Sequence, residues 1–185
     1  MRSYNIIKQL RELDALVLDV DGVLTPGGIF YLDGGDQFKR FDVKDGLGAV
    51  AMGGFGVRIA IITGKRSEIV ARRAAEIGVE DLYQGYGFKV PALEDFIGKH
   101  DLDPARIGFV GDDVIDIPAM ELCGFSACPA DAAFALRRSV DWVMRSPGGY
   151  GALREIAEMI ISAKSGKFPA DSALLEWARK LEGKR

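Results

Sequence analysis

The sequence is poor in cysteine and histidine, and it has no long apolar run. Its 185 residues include two cysteines and one histidine. Cys123 and Cys128 do not form a CxxC pair, so we expect two buried, reduced thiols. His100 lies at an expected helix end, where a capping or solvated role is favoured over catalysis. No apolar run approaches the roughly 18 residues that a membrane-spanning helix needs.

The charge balance gives no sign of a nucleic-acid partner. The net charge is −3, and 48% hydrophobic with 28% charged residues is typical of a soluble globular protein. The first ten residues lack the apolar segment of a signal peptide, so we expect a cytoplasmic protein without a membrane partner. Without repeats or linkers, the sequence predicts a single domain over residues 1–185.

Apolar, strand-like runs alternate with segments of helical spacing. The predicted strands are Ala15–Leu18, Val57–Ile62, Asp81–Tyr83, Ile107–Val110, Phe125–Ala127 and Trp142–Met144. The predicted helices are Lys65–Ile77, Val90–Lys99, Ile115–Leu122, Ala133–Arg138, Ala152–Ala163 and Ser172–Leu181. This alternation predicts βαβ units and a Rossmann-like, doubly wound parallel α/β sheet. The last helix belongs to a C-terminal helical tail of about residues 166–185, which we expect to dock on the body or on a partner subunit.

Two carboxylates follow the first predicted strand. Asp19 and Asp21 stand directly after the apolar run, and Gly22 allows a sharp turn there. Asp is a poor strand residue, so the pair costs stability, and ligands of open α/β sheets bind at the carboxyl ends of strands. A single Asp here could be a turn former or a helix cap. The full pattern D-x-D-G-V-L-T favours a functional site instead.

The segment of about residues 27–41 breaks the alternation. Two short runs rich in aromatic and β-branched residues flank Asp33-Gly34-Gly35-Asp36, which predicts a β-hairpin. Because the hairpin follows the acidic loop directly, we expect it to lie over the candidate site. A lone hairpin is marginal in water. We therefore expect it to pack against a neighbouring subunit, with an ordinary surface hairpin as the alternative.

Two further strand ends carry polar side chains. Thr63 and Gly64 follow the second predicted strand, although a Thr that caps the next helix is an equally good interpretation. Lys89 follows the third predicted strand, where a cation can neutralise anionic groups of a substrate. Most lysines that begin a helix are simply solvated, so neither signal is specific by itself.

A cluster of acidic residues follows the predicted strand Ile107–Val110. Asp112, Asp113 and Asp116 crowd one glycine turn. Concentrated negative charge is costly unless a cation binds, and oxygen donors without Cys or His favour Mg²⁺. The pattern G-D-D-x-x-D therefore predicts a magnesium site.

Together and in this order, the four segments resemble the four motifs of the haloacid dehalogenase (HAD) superfamily, whose members are mostly phosphatases. The resemblance implies an HAD-like fold and a Mg²⁺-dependent hydrolysis of phosphomonoesters. It makes Asp19 the nucleophile, which forms an aspartyl-phosphate, and Asp21 the general acid/base. It implies that Thr63 binds the phosphoryl group and that Lys89 neutralises the charges on the phosphoryl group and the nucleophile.

The same resemblance implies how the metal is held. The implied ligands are Asp19, the backbone carbonyl oxygen of Asp21, and Asp112. Asp113 and Asp116 would support them, one as an outer-sphere ligand and the other by holding the lysine.

A short hairpin in place of a cap domain points to one branch of the superfamily. The chain resembles the capless branch that contains 3-deoxy-D-manno-octulosonate 8-phosphate (KDO 8-phosphate) phosphatase, an enzyme of lipopolysaccharide precursor synthesis. The matching patterns are Phe41–Gly46, Leu82–Gly85 and Gly148–Glu155. The resemblance implies a phosphorylated sugar acid as substrate and a homotetramer built by the hairpins. The implied substrate-binding residues are Asp21, Asp42, Val43, Lys44, Asp45, Gly46, Gly64, Lys65, Arg73 and Lys89.

Three positions depart from the branch. Lys65, Val50 and Tyr150 stand where the family often has arginine, and lysine does not replace the bidentate recognition of a carboxylate by arginine. The substrate could therefore be a nine-carbon keto-sugar acid 9-phosphate of the KDN or sialic acid type, or the enzyme could be a broader sugar phosphatase. Two alternatives from other functional classes are a phospho-acceptor receiver domain and a non-catalytic domain that serves assembly. A receiver carries its phosphorylated Asp on a later strand than its acidic pair, which disfavours it here.

Overall fold

The computed structural model describes residues 2–31, 33 and 37–183. Its centre is a six-stranded sheet in which all neighbouring strands are parallel, in the order β5-β4-β1-β6-β7-β8. The strands, with the separate pair β2 and β3, are β1 (Ala15–Leu18), β2 (Phe30–Tyr31), β3 (Gln37–Phe38), β4 (Arg58–Thr63), β5 (Asp81–Gln84), β6 (Ile107–Val110), β7 (Phe125–Cys128) and β8 (Trp142–Val143). The predicted doubly wound α/β fold is confirmed.

Helices cover both faces of the sheet. They are α1 (Arg2–Glu12), α2 (Val43–Gly54), α3 (Glu68–Glu76), α4 (Val90–His100), α5 (Ile117–Met120), α6 (Phe134–Arg137), α7 (Ala152–Ser165) and α8 (Asp171–Glu182). None of the described helices is long and apolar enough to cross a membrane.

The central strand β1 contributes side chains to two separate hydrophobic clusters. Leu16 and Leu18 face the cluster formed with α1, α2, α3, α7 and α8. Ala15 and Val17 face the cluster formed with α4, α5 and α6. Alternate residues of a strand point to opposite faces, so a strand covered on both faces is apolar throughout. Burial of each large side chain contributes roughly 1.5–3 kcal/mol, which anchors the strand end that carries Asp19.

Several predicted boundaries differ from the structure. Helix α3 begins at Glu68, after the N-cap residue Ser67, so Lys65 lies in the preceding loop rather than at the start of the helix as predicted. The Ser67 amide donates to Gln84 Oε1 at 2.6 Å, which ties this loop to the end of β5. Helix α1 was not predicted, and it packs against α7.

The predicted hairpin is present as an antiparallel pair of β2 and β3. Phe30 pairs with Phe38, and their rings stack with centroids 4.5 Å apart. Both rings remain about half exposed, with the neighbouring Tyr31 at 77%. Of the predicted turn, only Asp33 lies within the described residues. Phe41, at the end of the predicted hairpin segment, is partly buried against the core cluster on the α1 and α7 side of the sheet.

The C-terminal tail docks on the body of the same chain. Leu174 and Trp177 of α8 pack against the main core. The Trp177 ring lies so close to Gly54, at the end of α2, that a Cβ at Gly54 would overlap it.

The cysteines and the histidine differ in detail from the expectation. Both thiols are free, but Cys123 is only partly buried, whereas Cys128 is fully buried. His100 ends α4 as expected, and its Nε2 lies 2.9 Å from the buried carboxylate of Asp81. Because Asp81 begins β5, His100 lies at the end of that strand opposite to the candidate site.

Candidate active site

The loop after β1 turns sharply around one carbonyl oxygen. The backbone amides of Val23, Leu24 and Thr25 all donate to Val20 O, at 3.2, 2.9 and 3.0 Å. Gly22 has φ +84°, a left-handed conformation that disfavours other residues. A Cβ at Gly22 would also overlap the carboxylate of Asp112. The glycine therefore permits the close approach of two acidic segments.

Asp19 is a buried carboxylate with defined partners. Its Oδ1 accepts from the Val20 amide at 2.6 Å, and its Oδ2 lies 2.7 Å from Lys89 Nζ. Burial raises the pKa of Asp19, an effect that Lys89 opposes and the negative charge of Asp116 reinforces. The side chain is thus held in place before any substrate arrives.

Lys89 and Asp116 form the buried support of this carboxylate. Lys89 is 2% exposed, and its ammonium pairs with both Asp19 and Asp116 Oδ1. The second oxygen of Asp116 accepts from the amides of Asp112 and Asp113, at 2.9 and 3.2 Å. Gly111 makes this possible, because a Cβ there would overlap the Asp116 carboxylate.

Three carboxylates meet where a cation would fit. Oxygen atoms of Asp19, Asp112 and Asp116 lie within 4.8 Å of one another. Burial and the charges of Asp19 and Asp116 raise the pKa of Asp112 to about 7, so ionisation of all three carboxylates together is unfavourable without a further cation. An all-carboxylate donor set suits Mg²⁺. Asp116 is held by Lys89 and by two backbone amides, and Asp19 by Lys89 and the Val20 amide, whereas Asp112 has no side-chain hydrogen bond to another described residue. Asp19 and Asp112 remain our candidate ligands, as the family resemblance implies.

Asp113 lies beside this cluster rather than in it. Its exposed carboxylate caps the short 3₁₀ helix Val114–Asp116 by accepting from the Val114 amide at 2.7 Å. Asp113 therefore stays our candidate for an outer-sphere contact to a bound ion.

Asp21 lies at the edge of the site and is partly exposed. Its Oδ1 pairs with the ammonium of Lys39 and lies 3.4 Å from Thr25 Oγ1. Lys39 was not among the predicted site residues. The available signal was its position directly after β3, because the hairpin returns over the acidic loop.

Thr63 ends β4, the strand that pairs with β1. It is 3% exposed, and its carbonyl oxygen accepts from the amides of Gly85 and Tyr86 at 3.0 and 3.1 Å. These bonds bring the loop before Lys89 to the end of β4. Gly64 and Lys65 follow Thr63 and are exposed.

The predicted substrate segment at the start of α2 divides into buried and exposed residues. Val43 and Lys44 are exposed, and Asp42 caps the helix by accepting from the Lys44 amide at 2.7 Å. Asp45 is 2% exposed and accepts from the amides of Gly151 and Arg154, at 3.2 and 2.8 Å. Burial raises the pKa of Asp45, and these two hydrogen bonds oppose the rise. Asp45 therefore holds the start of α7.

Arg73 reaches the same segment from α3. Its Nη2 donates to the carbonyl oxygen of Asp42 at 3.0 Å, and its Nη1 pairs with Glu76 at 3.3 Å. A Cβ at Gly46 would overlap the guanidinium. In this structure Arg73 thus fixes the start of α2, with no bond to the Asp19 cluster among the described residues.

Known proteins resemble the chain over nearly its whole length. The 3-deoxy-D-manno-octulosonate 8-phosphate phosphatase KdsC of Escherichia coli (strain K12) is 38% identical over 162 residues, which cover 88% of this chain and 86% of that protein. The chain belongs to the KDO 8-phosphate phosphatase family of the HAD superfamily. The predicted family is thereby confirmed. No protein-family model matches the sequence.

Solved structures of the phosphatase family share the fold. The Moraxella catarrhalis phosphatase, solved in complex with a magnesium ion, a phosphate ion and a KDO molecule, has a TM-score of 0.87 and 32% identity, covering 93% of this chain and 97% of that one. The Yersinia pestis phosphatase has a TM-score of 0.85 and 34% identity, covering 87% of each chain.

The positions that depart from the phosphatase family lie on the surface. Val50 is 41% and Tyr150 54% exposed, and Lys65 is exposed as well. Arg40, which the sequence did not single out, stacks over Tyr150 with its Cζ 4.1 Å from the ring centroid. Its Nη1 donates to Gly149 O at 2.6 Å. The guanidinium of Arg40 thus lies beside Tyr150, the position at which the family often has arginine.

Proposed function

We propose that the chain is a Mg²⁺-dependent phosphatase that hydrolyses KDO 8-phosphate through an aspartyl-phosphate on Asp19. The buried Asp19 carboxylate, held 2.7 Å from Lys89 at the end of β1, carries the proposal. A carboxylate that is fixed, desolvated and flanked by a cation is prepared to attack a phosphorus atom rather than to cap a turn.

The residues suggest a two-step reaction. Asp19 attacks phosphorus while the bond to the sugar oxygen breaks, and Asp21 gives a proton to that oxygen. Asp21 then takes a proton from water, whose oxygen attacks the phosphoryl group, releasing phosphate and restoring Asp19. Lys89 compensates negative charge in both steps. Thr63, at the end of β4, is our candidate for orienting the phosphoryl group.

The carboxylates of Asp19 and Asp112, with the backbone carbonyl oxygen of Asp21, would hold the metal. When bound, Mg²⁺ would supply positive charge against the repulsion between the nucleophile and a phosphate dianion. Asp116 contributes indirectly, because it fixes Lys89 and the backbone of the acidic turn.

The sugar acid would lie between the start of α2 and the loop after β4. Lys44 and Lys65 are exposed cations on these two segments. Arg73 and Asp45 would act by fixing the start of α2 against α3 and α7. Asp42, Val43, Gly46 and Gly64 would shape the remaining surface, with Asp21 and Lys89 at the phosphoryl end.

The hairpin supports assembly as a homotetramer. Ile29 and Tyr31 are 54% and 77% exposed, and the half-exposed rings of Phe30 and Phe38 continue the same apolar surface. An apolar patch of this kind marks an interaction site. Because the described residues form no cap domain over the site, a neighbouring subunit would shield it from water. Two free thiols also fit a reducing compartment such as the cytoplasm.

A phosphate-release assay over a substrate panel tests the function. We expect the highest kcat/KM for KDO 8-phosphate, compared with a nine-carbon keto-sugar acid 9-phosphate and a hexose 6-phosphate. Asp19→Asn, which cannot attack phosphorus, controls for contaminating phosphatases. A nine-carbon preference would replace the substrate but keep the chemistry. No Asp19-dependent release from any of the three would refute the proposal.

A further inference from the structure

The second strand of the hairpin brings a lysine to the candidate general acid/base. Lys39 directly follows β3, its side chain is 13% exposed, and its ammonium pairs with Asp21 Oδ1. We propose that Lys39 is a positioning residue that holds the Asp21 carboxylate in the orientation required for proton transfer. The inference rests on the proposed phosphatase function and extends it to the hairpin.

The two oxygens of Asp21 have different surroundings. Oδ1 faces both Lys39 and the hydroxyl of Thr25, which lies 3.4 Å away. Among the described residues, none donates a hydrogen bond to Oδ2. Two donors on one oxygen restrict the rotation of a carboxylate, and they leave the other oxygen available to the leaving group. This asymmetry is what a proton-transfer residue needs.

Both partners of Asp21 are themselves held. Thr25 is 2% exposed, and its hydroxyl oxygen accepts from the Gly27 amide at 3.3 Å. Its single proton faces both Asp21 Oδ1 and Val20 O, each 3.4 Å from Oγ1, so the contact with Asp21 is the weaker of the two that Oδ1 receives. Next to Lys39 in the chain, Arg40 donates to Gly149 O at 2.6 Å. Before Lys39, Phe38 stacks on Phe30. Lys39 is thus fixed from both sides, and a flexible lysine is a useful positioning group only when its backbone is fixed.

Each of the two lysines at the site pairs with different acidic residues. Lys89 pairs with Asp19 and Asp116, whereas Lys39 pairs with Asp21. The alternative role for Lys39 is to bind the phosphoryl group of the substrate directly. That role would affect every phosphate ester equally, whereas positioning of the acid affects esters according to how much their leaving group needs a proton.

The test compares two leaving groups. Lys39→Met should lower kcat/KM for a sugar phosphate about tenfold more than for p-nitrophenyl phosphate, because general acid catalysis contributes roughly 10²–10⁴-fold and a nitrophenolate leaves without a proton. kcat/KM is the correct quantity, since it reports on the step that expels the leaving group. Lys39→Arg should restore part of the ratio, and Lys8→Met, at an exposed site on α1, controls for the lost charge.

A second variant keeps the proposal testable if Lys39→Met does not fold. Thr25→Val keeps the side-chain shape and removes the other donor to Oδ1, so it should also disfavour the sugar phosphate. An equal loss on both substrates, or no loss, overturns the proposal. If the unaltered protein hydrolyses neither substrate, the proposed function has failed instead. Sedimentation of each variant separates a change of assembly, which would lower both rates, from the leaving-group effect.

Discussion

Lys89 Nζ lies 2.7 Å from Asp19 Oδ2, although less than a tenth of either side chain is exposed. A buried ion pair costs desolvation for both partners, so its presence at a strand end is better explained by chemistry than by stability. With Asp116 as the third member, this buried group pairs one cation, Lys89, with two carboxylates. The remaining negative charge, together with Asp112, creates the demand for a metal.

Lys89→Met should remove activity and destabilise the protein. It leaves Asp19 and Asp116 buried without a cation, so the free energy of unfolding should fall by about 3–5 kcal/mol without Mg²⁺. Urea denaturation monitored by circular dichroism measures this. Lys99→Met, on the same helix α4, is the matched control: Asp81 keeps Arg58 and His100, and the exposed lysine should contribute less than about 1 kcal/mol. Similar losses in both variants would contradict the importance of the buried pair.

Magnesium should stabilise the protein more at high pH than at low pH. Without metal, the pKa of Asp112 is raised from 3.8 to about 7, so the folded state binds its proton more tightly than the unfolded state. The resulting stability is fully present below about pH 4 and is lost as pH rises towards about 7. Asp19 shifts in the same direction. Mg²⁺ binds the ionised carboxylates. The increase in the protein's Tm on adding Mg²⁺ should therefore be larger at about pH 8 than at about pH 5.

Asp112→Ala provides the control for the metal. The variant should show little increase in Tm with Mg²⁺ at either pH, and its turnover should be lost or should need far more Mg²⁺. Chelation should abolish turnover of the unaltered enzyme, and added Mg²⁺ should restore it. Full activity in excess chelator would contradict the metal site.

Gly111→Ala should destabilise the acidic turn. Its Cβ would overlap the Asp116 carboxylate, which accepts from two backbone amides and pairs with Lys89. We expect a loss of about 1–3 kcal/mol, as for other overpacked sites, and a weaker response to Mg²⁺. Gly98→Ala is the control, because Gly98 lies within α4 with nothing near its Cβ, and alanine should stabilise that helix by roughly 0.5–1 kcal/mol. Urea denaturation of both variants measures their free energies of unfolding. Equal values for the two variants would argue against the steric role of Gly111.

Polar substitution of the hairpin should reduce assembly and activity together. Phe30→Ser combined with Tyr31→Ser removes two exposed rings, each worth roughly 1.5–3 kcal/mol if fully buried in an interface. Sedimentation should show a shift towards monomer, with a lower kcat/KM. Leu175→Ser, at a similarly exposed site on α8, should leave the mass unchanged. An unaltered protein that is fully active as a monomer would exclude this role for the hairpin.

Local sequence patterns predicted the strands, the family and the positions of the acidic motifs, whereas the order of the strands in the sheet came from the structure. The predicted strands of the sheet were short runs rich in apolar residues. Asp19 and Thr63 follow such runs directly, and Asp112 follows one after Gly111. Parallel strands end at one edge, so these side chains had to lie near one another. Local patterns suffice for this because a strand covered on both faces must be apolar throughout.

Tertiary structure alone decided which groups hold the acidic residues. Lys39 pairs with Asp21 because the hairpin folds back over the loop, and Asp45 binds the amides of Gly151 and Arg154 across more than a hundred residues. Helix α1 packs against α7, and because its sequence is polar on average no apolar run marked it. Such contacts join distant segments, and a pattern within one segment carries no information about them.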